Sequence, residues 1–470
     1  MTVRKYIFLL LFAWITIWGF SSIAVAADVS VPKLSVYKAF PDISPQVLDA
    51  SFWIKRLAEP EKILMTEEQI ARFNQANCTR TKSVEDIWNT GESISREELL
   101  RLIAGVSEPR TAYRYSEKGK RLDSKDFESF AANIDIKGLP ESIRVQYGMS
   151  VRRTIMRAYP TNKKAMKQKG ALGFDHLIES AVYVAEPMLI LAESLDRRWL
   201  FVQTATVRGW IPETDIAYGN RQEIMDYTRR KPFVIVTSPF VAVTLIDHQA
   251  GSDLHIRLDM GIRLPLAVET GLYHEHDAVV VLPLRNEKGR LSFAGRSYIS
   301  MKDVHPGYLP YTRANIIRQA FMMHGESYGW GGSGNARDCS AFLSDIYKTF
   351  GIMVPRNSID QAFDSVGLTY DFSNLTSMKD RLRLFDSLSA YAPFPIYKPG
   401  HAMLYLGSYN GRHYVIHDAS GFYTLNRKGK PVRSRIMKVV VFPLEIMHDI
   451  DGKAFPDAVR TVREFIYNGQ

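Results

Sequence analysis

The 470-residue sequence predicts a multidomain α+β chain with a helical N-terminal cap, two small β-barrels and a C-terminal α+β domain. Three observations predict it. From Val47 to Gly105 the apolar residues recur at helical spacing. From Pro187 to Ile299 the pattern becomes short β-rich runs separated by turn residues, the signature of small barrels. After His305-Pro306-Gly307 and Pro310, helical stretches are followed by strand-length runs that read as one α/β unit. A chain this long exceeds one ordinary core, and about two to four domains are expected. The expected boundaries are a leader over 1–26, the helical domain over 27–160, barrels over 161–225 and 226–305, and the final domain over 306–470.

Arg4 and Lys5 precede an apolar stretch from Tyr6 to Phe20, and Ala24-Val25-Ala26 then leads to Ala27-Asp28. This order of charged, apolar and small residues is that of a secretory signal, too short in its apolar part for an ordinary span. The alternative is an uncleaved N-terminal anchor. Once the signal is removed no stable membrane insertion is expected, and the protein belongs in the periplasm or extracellular cell envelope. Apolar residues make up 46% and charged residues 23%, which excludes a largely disordered chain. The net charge is +10, or +8 without Arg4 and Lys5, and in an exported protein it suits anionic envelope polymers better than nucleic acid. A monomer is expected.

In the helical region Ser95-x-x-Glu98 forms a capping box ahead of Leu99 and Leu100, and Thr66-Glu67-Glu68 starts an earlier helix. Tyr159 to Gly170 is basic and polar and reads as a linker. The first barrel uses Pro187 to Ala192, Trp199 to Thr204 and Val207 to Ile211; the second uses five runs between Phe233 and Ile299. Asp196-Arg197-Arg198-Trp199-Leu200-Phe201-Val202 followed by Gly209-Trp210-Ile211 resembles the "D-x-x-W-x-x-V … G-W-V" pattern of bacterial SH3-like domains. That resemblance implies substrate positioning or wall-peptide binding, while Trp199 and Trp210 are expected to fill the barrel interior.

The final domain carries the chemistry. Cys339 is one of two cysteines, and pairing it with Cys78 would consume the one plausible nucleophile. Cys78 is therefore read as buried or incidental. Glycines 329, 331, 332 and 334 form a loop, and the apolar face Phe342, Ile346, Tyr347 and Phe350 starts just after Cys339. A cysteine at such a helix start gains thiolate character from the N–H groups there, and its amide is a plausible oxyanion donor. His401 begins the apolar run Ala402 to Leu406, and His417 ends the next run after the turn Asn410-Gly411. An Asn-Gly turn between apolar runs predicts a hairpin, which puts the two histidines on adjacent strands. His401 would serve as base then acid, and His417 would fix its tautomer; Asp418 and His413 are rivals for that last role. A zinc site lacks C-x-x-C or H-E-x-x-H spacing, so no cofactor is expected.

Tyr328-Gly329-Trp330-Gly331-Gly332, Asp338-Cys339-Ser340, Pro355-Arg356-Asn357-Ser358 with Gln361, Gly400-His401-Ala402-Met403-Leu404-Tyr405-Leu406-Gly407 and His417 together resemble the NlpC-type cell-wall cysteine peptidases. The resemblance spans about Tyr311 to Phe442. It implies a papain-like α+β domain that hydrolyses the γ-D-glutamyl to diamino acid bond of peptidoglycan stem peptides through an acyl-enzyme on Cys339. It also implies that Tyr328, Asp338, Ser340, Asn357 and Ser358 line the substrate cleft, with Asp338 facing the free amine of L-Ala. Some relatives carry Asp where this chain has Asn357, which weakens amine binding there. For Asp338, helix capping is an equally good role. The alternatives are a Cys/His amidase or acyltransferase on another envelope bond, or a catalytically silent wall-binding protein.

Overall fold

The computed structural model describes residues 35–108, 114–170, 173–246, 255–267, 273–274 and 276–467, so the expected leader lies outside the described residues. Among the described residues no helix is long and apolar enough to cross a membrane.

The C-terminal unit is a six-stranded antiparallel sheet in the order Leu368–Asp371, Thr461–Glu464, Phe394–Lys398, His401–Tyr409, Arg412–Leu425, Pro431–Pro443. The helix Cys339–Lys348 packs on the two strands that bear His401 and His417. Its Phe342 and Ile346 are buried with Met403, Leu404 and Val415 in one core. Between those strands Asn410 and Gly411 both have positive φ (49° and 70°), the two-residue turn that the Asn-Gly pair predicts.

The expected helical domain over 27–160 has no core of its own. Tyr37, Val47, Trp53 and Phe73 are buried in the C-terminal core, whereas Ile87, Leu99 and Phe127 are buried with Trp199 and Trp210. The physical reason is size: helices such as Ala50–Ile54 and Arg96–Ala104 have one apolar face and need a larger unit to cover it. The Ser95 cap is also half of what its sequence predicts. Ser95 Oγ accepts from the Glu98 N–H at 3.1 Å, but the Glu98 carboxylate turns to Arg101 instead of reaching back.

The first barrel expectation is likewise corrected. Its strands form a seven-stranded sheet ordered Ile216–Gly219, Gln146–Ser150, Pro187–Glu193, Trp199–Gln203, Arg208–Pro212, Thr154–Arg157, Ile178–Val182, and the two end strands do not pair, so no closed barrel forms. The sheet starts at Gln146, well before residue 161. The stretch read as a linker contains the buried Tyr159, Ala165 and Met166, held by Ala158 N–H to Leu177 O and by the Tyr115–Met166 bridge. Its lysines mask that role in the sequence because they point outward while its apolar residues face in. The region 233–306 holds three small sheets; Val234, Leu258, Val280 and Ile299 share one core, while Val279, Val281 and Leu291 are buried in a second with Met149 and Ala217, and among the described residues no closed barrel forms.

Candidate active site

Asp338 ends an extended segment and caps the helix Cys339–Lys348, accepting the Ala341 N–H at 3.0 Å. Cys339 is thus the first helical residue, with an N–H that has no intrahelical acceptor. Its thiol lies at the amino end of the strand His401–Tyr409, where the Ala402 N–H points at the sulfur. His401, the preceding residue, turns its Nε2 to His417 Nδ1 at 2.7 Å. His401 Nδ1 is then the ring nitrogen left to accept a proton.

The electrostatics depart from the sequence expectation for the thiol. Burial pushes the Cys339 thiol up to about 12, with the Asp338 carboxylate adding to the rise and the Ala402 N–H opposing it. Burial also pushes His401 well below its ordinary value, assisted by His417 and Lys398, and takes His417 down to about 3. The Cys339 thiol and the His401 imidazole are both neutral at rest. Desolvation outweighs the helix terminus here.

Neither rival for orienting His401 is hydrogen-bonded to it. His413 bonds Tyr405 Oη at 2.8 Å and faces Asp386. Asp418 is fully buried with neither carboxyl oxygen hydrogen-bonded, and burial followed by the Asp338 charge raises its carboxyl well above the usual range. His417 Nε2 is also buried without a partner, consistent with a neutral ring whose Nδ1 accepts from His401.

Of the five predicted cleft residues, Tyr328 and Asp338 lie close enough to act on the Cys339 thiol, and Ser340 follows it in the helix. Burial, then the nearby Cys339 and Asp338, push the Tyr328 hydroxyl upward, so it remains a protonated donor. The Asp338 carboxylate is saturated: it accepts from Gly331 N–H (3.1 Å), Ala341 N–H (3.0 Å), Ser340 Oγ (3.2 Å) and Arg356 Nη2 (2.8 Å). Burial alone would raise this carboxyl, but the Arg356 charge and these donors hold it below the usual range. The helix-capping role of Asp338 is therefore realised in full. Ser358 begins the helix Ser358–Phe363, and Asn357 before it is exposed, with its amide on Asp360 at 3.3 Å. Cys78 is half-buried, its thiol pushed up to about 11 by burial and the nearby Asp86 and Glu85.

The sequence gives Arg356 a place in the Pro355-Arg356-Asn357-Ser358 motif and no role of its own. Its guanidinium is buried and donates to Ser180 Oγ (2.7 Å), Ser340 Oγ (2.8 Å) and Asp338 Oδ2 (2.8 Å), joining the first β module to the cysteine helix. Arg153 extends this junction by donating to Gly332 O and Ala336 O, both at 2.9 Å. Tyr183 Oη and Arg337 Nε converge on Asp345 Oδ2 at 2.8 and 2.6 Å. Phe174 and His176 pack on Trp330. The glycine loop needs its glycines for the same reason: a Cβ on Gly331 would lie 2.3 Å from Ile178 Cγ2, and one on Gly332 2.4 Å from Ala181 Cβ. A solvent-facing charge is the usual reading of a lone Arg, so sequence alone held no signal for its burial.

Among the described residues no group of three or more His, Cys, Asp or Glu side chains is arranged to hold a metal ion.

Residues 325–439 match the NlpC/P60 family. This chain carries an NlpC/P60 domain. The match contains the glycine loop, Cys339, His401 and His417, and residues 163–212 match an SH3 domain of the SH3b1 type. A gamma-D-glutamyl-L-lysine dipeptidyl-peptidase of Bacillus cereus is 34% identical over 164 residues, 34% of this chain and 44% of that protein. That alignment thus spans less than half of the relative's own length. The Bacillus subtilis protein of the same name is 23% identical over 248 residues, 51% of this chain and 76% of that one. An NlpC/P60 endopeptidase from Photobacterium damselae subsp. piscicida shares the fold, with a TM-score of 0.68 and 18% identity over 88% of this chain and 96% of that chain. The NlpC/P60 domain therefore sits in a mixed α+β chain with an SH3b domain, and the junction built by Arg356 joins the two.

Proposed function

We propose that the protein is a cysteine endopeptidase that cuts the γ-D-glutamyl to diamino acid bond of peptidoglycan stem peptides. The observation that carries the reading is the His401–His417 hydrogen bond on the strand whose Ala402 N–H meets the Cys339 sulfur, within a segment that matches the NlpC/P60 family. The names of the two Bacillus relatives support the bond assigned. As Cys339 Sγ bonds to the scissile carbonyl carbon, its proton passes to His401 Nδ1, and the resulting imidazolium donates from Nε2 to His417 Nδ1. The carbonyl oxygen becomes an oxyanion facing the Cys339 N–H. On collapse the C–N bond breaks, and His401 delivers its proton to the leaving amine. A water then loses a proton to His401 and adds to the thioester carbon. Expulsion of sulfur with that proton restores the thiol and frees the dipeptide acid.

Export to the cell envelope belongs to this reading and is supported by the order Arg4-Lys5, apolar stretch, Ala24-Val25-Ala26. So does the grouping of residues 226–305 as a second SH3-like module, supported by the core that Val234, Leu258, Val280 and Ile299 of its small sheets share. A monomer remains the expected state.

The test is incubation of wild type and Cys339→Ala with L-Ala-γ-D-Glu-diamino acid tripeptide and with intact peptidoglycan, read by mass. Release of L-Ala-D-Glu by wild type alone is expected. Separation of sugar from peptide, or equal turnover by Cys339→Ala, would refute the assignment.

A further inference from the structure

The two longest strands of the sheet, Arg412–Leu425 and Pro431–Pro443, continue past the active site as a two-stranded arm. A register shift between Ala419 and Gly421 marks where the arm departs. Gly421 is required there: it has φ 153°, and a Cβ on it would lie 2.4 Å from Ser434 O. Beyond that point the ribbon reaches roughly 15–20 Å at ordinary strand rise.

The arm carries a one-signed charge. From Ala419 to Leu444 there is no Asp or Glu, while Arg427, Lys428, Lys430, Arg433 and Arg435 are all exposed. None of these five forms an ion pair among the described residues, whereas Lys438 at the base is tied to Gly325 O at 3.1 Å. The loop beside the arm contributes Asp449 and Asp451, and Asp449 is engaged by Lys398 at 2.8 Å. Five uncompensated cations on one ribbon create a field suited to a polyanion.

The arm also has a defined relation to the catalytic cleft. Its outgoing strand contains His417, and its return strand pairs with the cleft loop through Tyr328 N–H to Met437 O at 3.0 Å and the Ser327–Lys438 bridge. A polymer whose peptide reaches Cys339 passes the base of the arm. We infer that this arm is an electrostatic docking surface for the carboxylate-rich peptidoglycan polymer, an inference that rests on the endopeptidase reading. A γ-linked D-Glu keeps its α-carboxylate free and each stem peptide ends in a carboxylate, so the polymer presents many anions where a free tripeptide presents few. A bilayer fits less well. The exposed apolar residues Leu425 and Val432 pair with Pro431 and Thr424 respectively, which puts them on opposite faces of the ribbon, and neither face is apolar.

The test replaces Arg427, Lys428, Lys430, Arg433 and Arg435 by Gln in a Cys339→Ala background and measures co-sedimentation with purified sacculi. At about 0.1 M salt the variant is expected to bind about tenfold more weakly, and at about 1 M salt, where screening shortens to about 3 Å, the difference should vanish. Arg427→Gln with Lys428→Gln, both in the exposed turn, guards against misfolding and should give a smaller loss in the same direction. In the active background, tripeptide turnover should not change. Equal sacculus binding by both variants overturns the inference, as does lost binding to anionic phospholipid vesicles with sacculus binding intact. If wild type fails to cut the tripeptide, the endopeptidase reading falls, while co-sedimentation still decides the arm.

Discussion

Removal of the Arg356 side chain tests the junction between the β module and the cysteine helix. Arg356→Ala deletes three hydrogen bonds of 2.7–2.8 Å and leaves the Asp338 carboxylate buried without its counter-charge. Breaking a buried ion pair from one side costs about 3–5 kcal/mol, against a total stability of about 5–15 kcal/mol. Arg356→Ala with Asp338→Ala removes the stranded charge, so the double variant should be more stable than the sum of the single losses by about 0.5–3 kcal/mol. The pH dependence carries its own sign. In wild type the depressed Asp338 carboxyl contributes stability that is present above the unfolded value of about 3.9 and lost as pH falls through the folded value. Without Arg356 the remaining burial pushes that carboxyl up, so the variant loses stability as pH rises. The gap between the two proteins should therefore be wide at neutral pH and shrink below about pH 4. Urea unfolding at several pH values measures it. A gap that does not change with pH, or strict additivity of the two losses, would refute this account.

Other outcomes follow from the same geometry. His417→Ala should lower kcat by about 10²–10⁴ with a small change in KM, because it releases the His401 ring without touching substrate; a change confined to KM would count against the orienting role. With His401 held well below 6.5, the acid limb of kcat/KM against pH should lie below that value, and a limb above it would contradict a neutral resting imidazole. Asp418→Asn should stabilise the protein by about 1–3 kcal/mol at neutral pH and by little below about pH 4, since the raised carboxyl costs stability as pH rises past its unfolded value; thermal melts at two pH values decide this. Gly332→Ala meets both a φ of +88° and Ala181 Cβ at 2.4 Å, so it should cost about 1–3 kcal/mol, and an unchanged melting temperature would argue against the close loop packing.

The placement of Cys339 at a helix start and of His401 beside His417 was legible because the signals are local. Cys339 follows a good N-cap, His401 follows Pro399-Gly400, and Asn410-Gly411 brings His417 alongside. The division of the N-terminal region was not legible, because the apolar stripe of a short helix says that it needs a partner and not which one. Tyr37 and Phe73 find theirs over 300 residues away, at Val441 and Phe465. Arg356 and Ser180 form a bond across 176 positions, a separation over which no periodicity operates. The two strands that the sheet recruits from before residue 161 were hidden for a related reason: Gln146–Ser150 and Thr154–Arg157 are four or five residues long and flanked by charges, so neither run stands out from a loop.

Tyr37 accepts the Val441 N–H at 2.7 Å and bonds His324 at 2.8 Å, so the beginning and end of the described chain share one core. The catalytic sheet is consequently completed by a segment made more than 400 residues before its partner strand. A ribosome finishes the β modules while Tyr37, Trp53 and Phe73 still have no sheet to cover, and the cysteine helix gains its full apolar support only when both chain ends meet. Contacts of such long range form late, because the loop between them must close first. The order of synthesis thus separates the modules made first from the core that lies under Cys339.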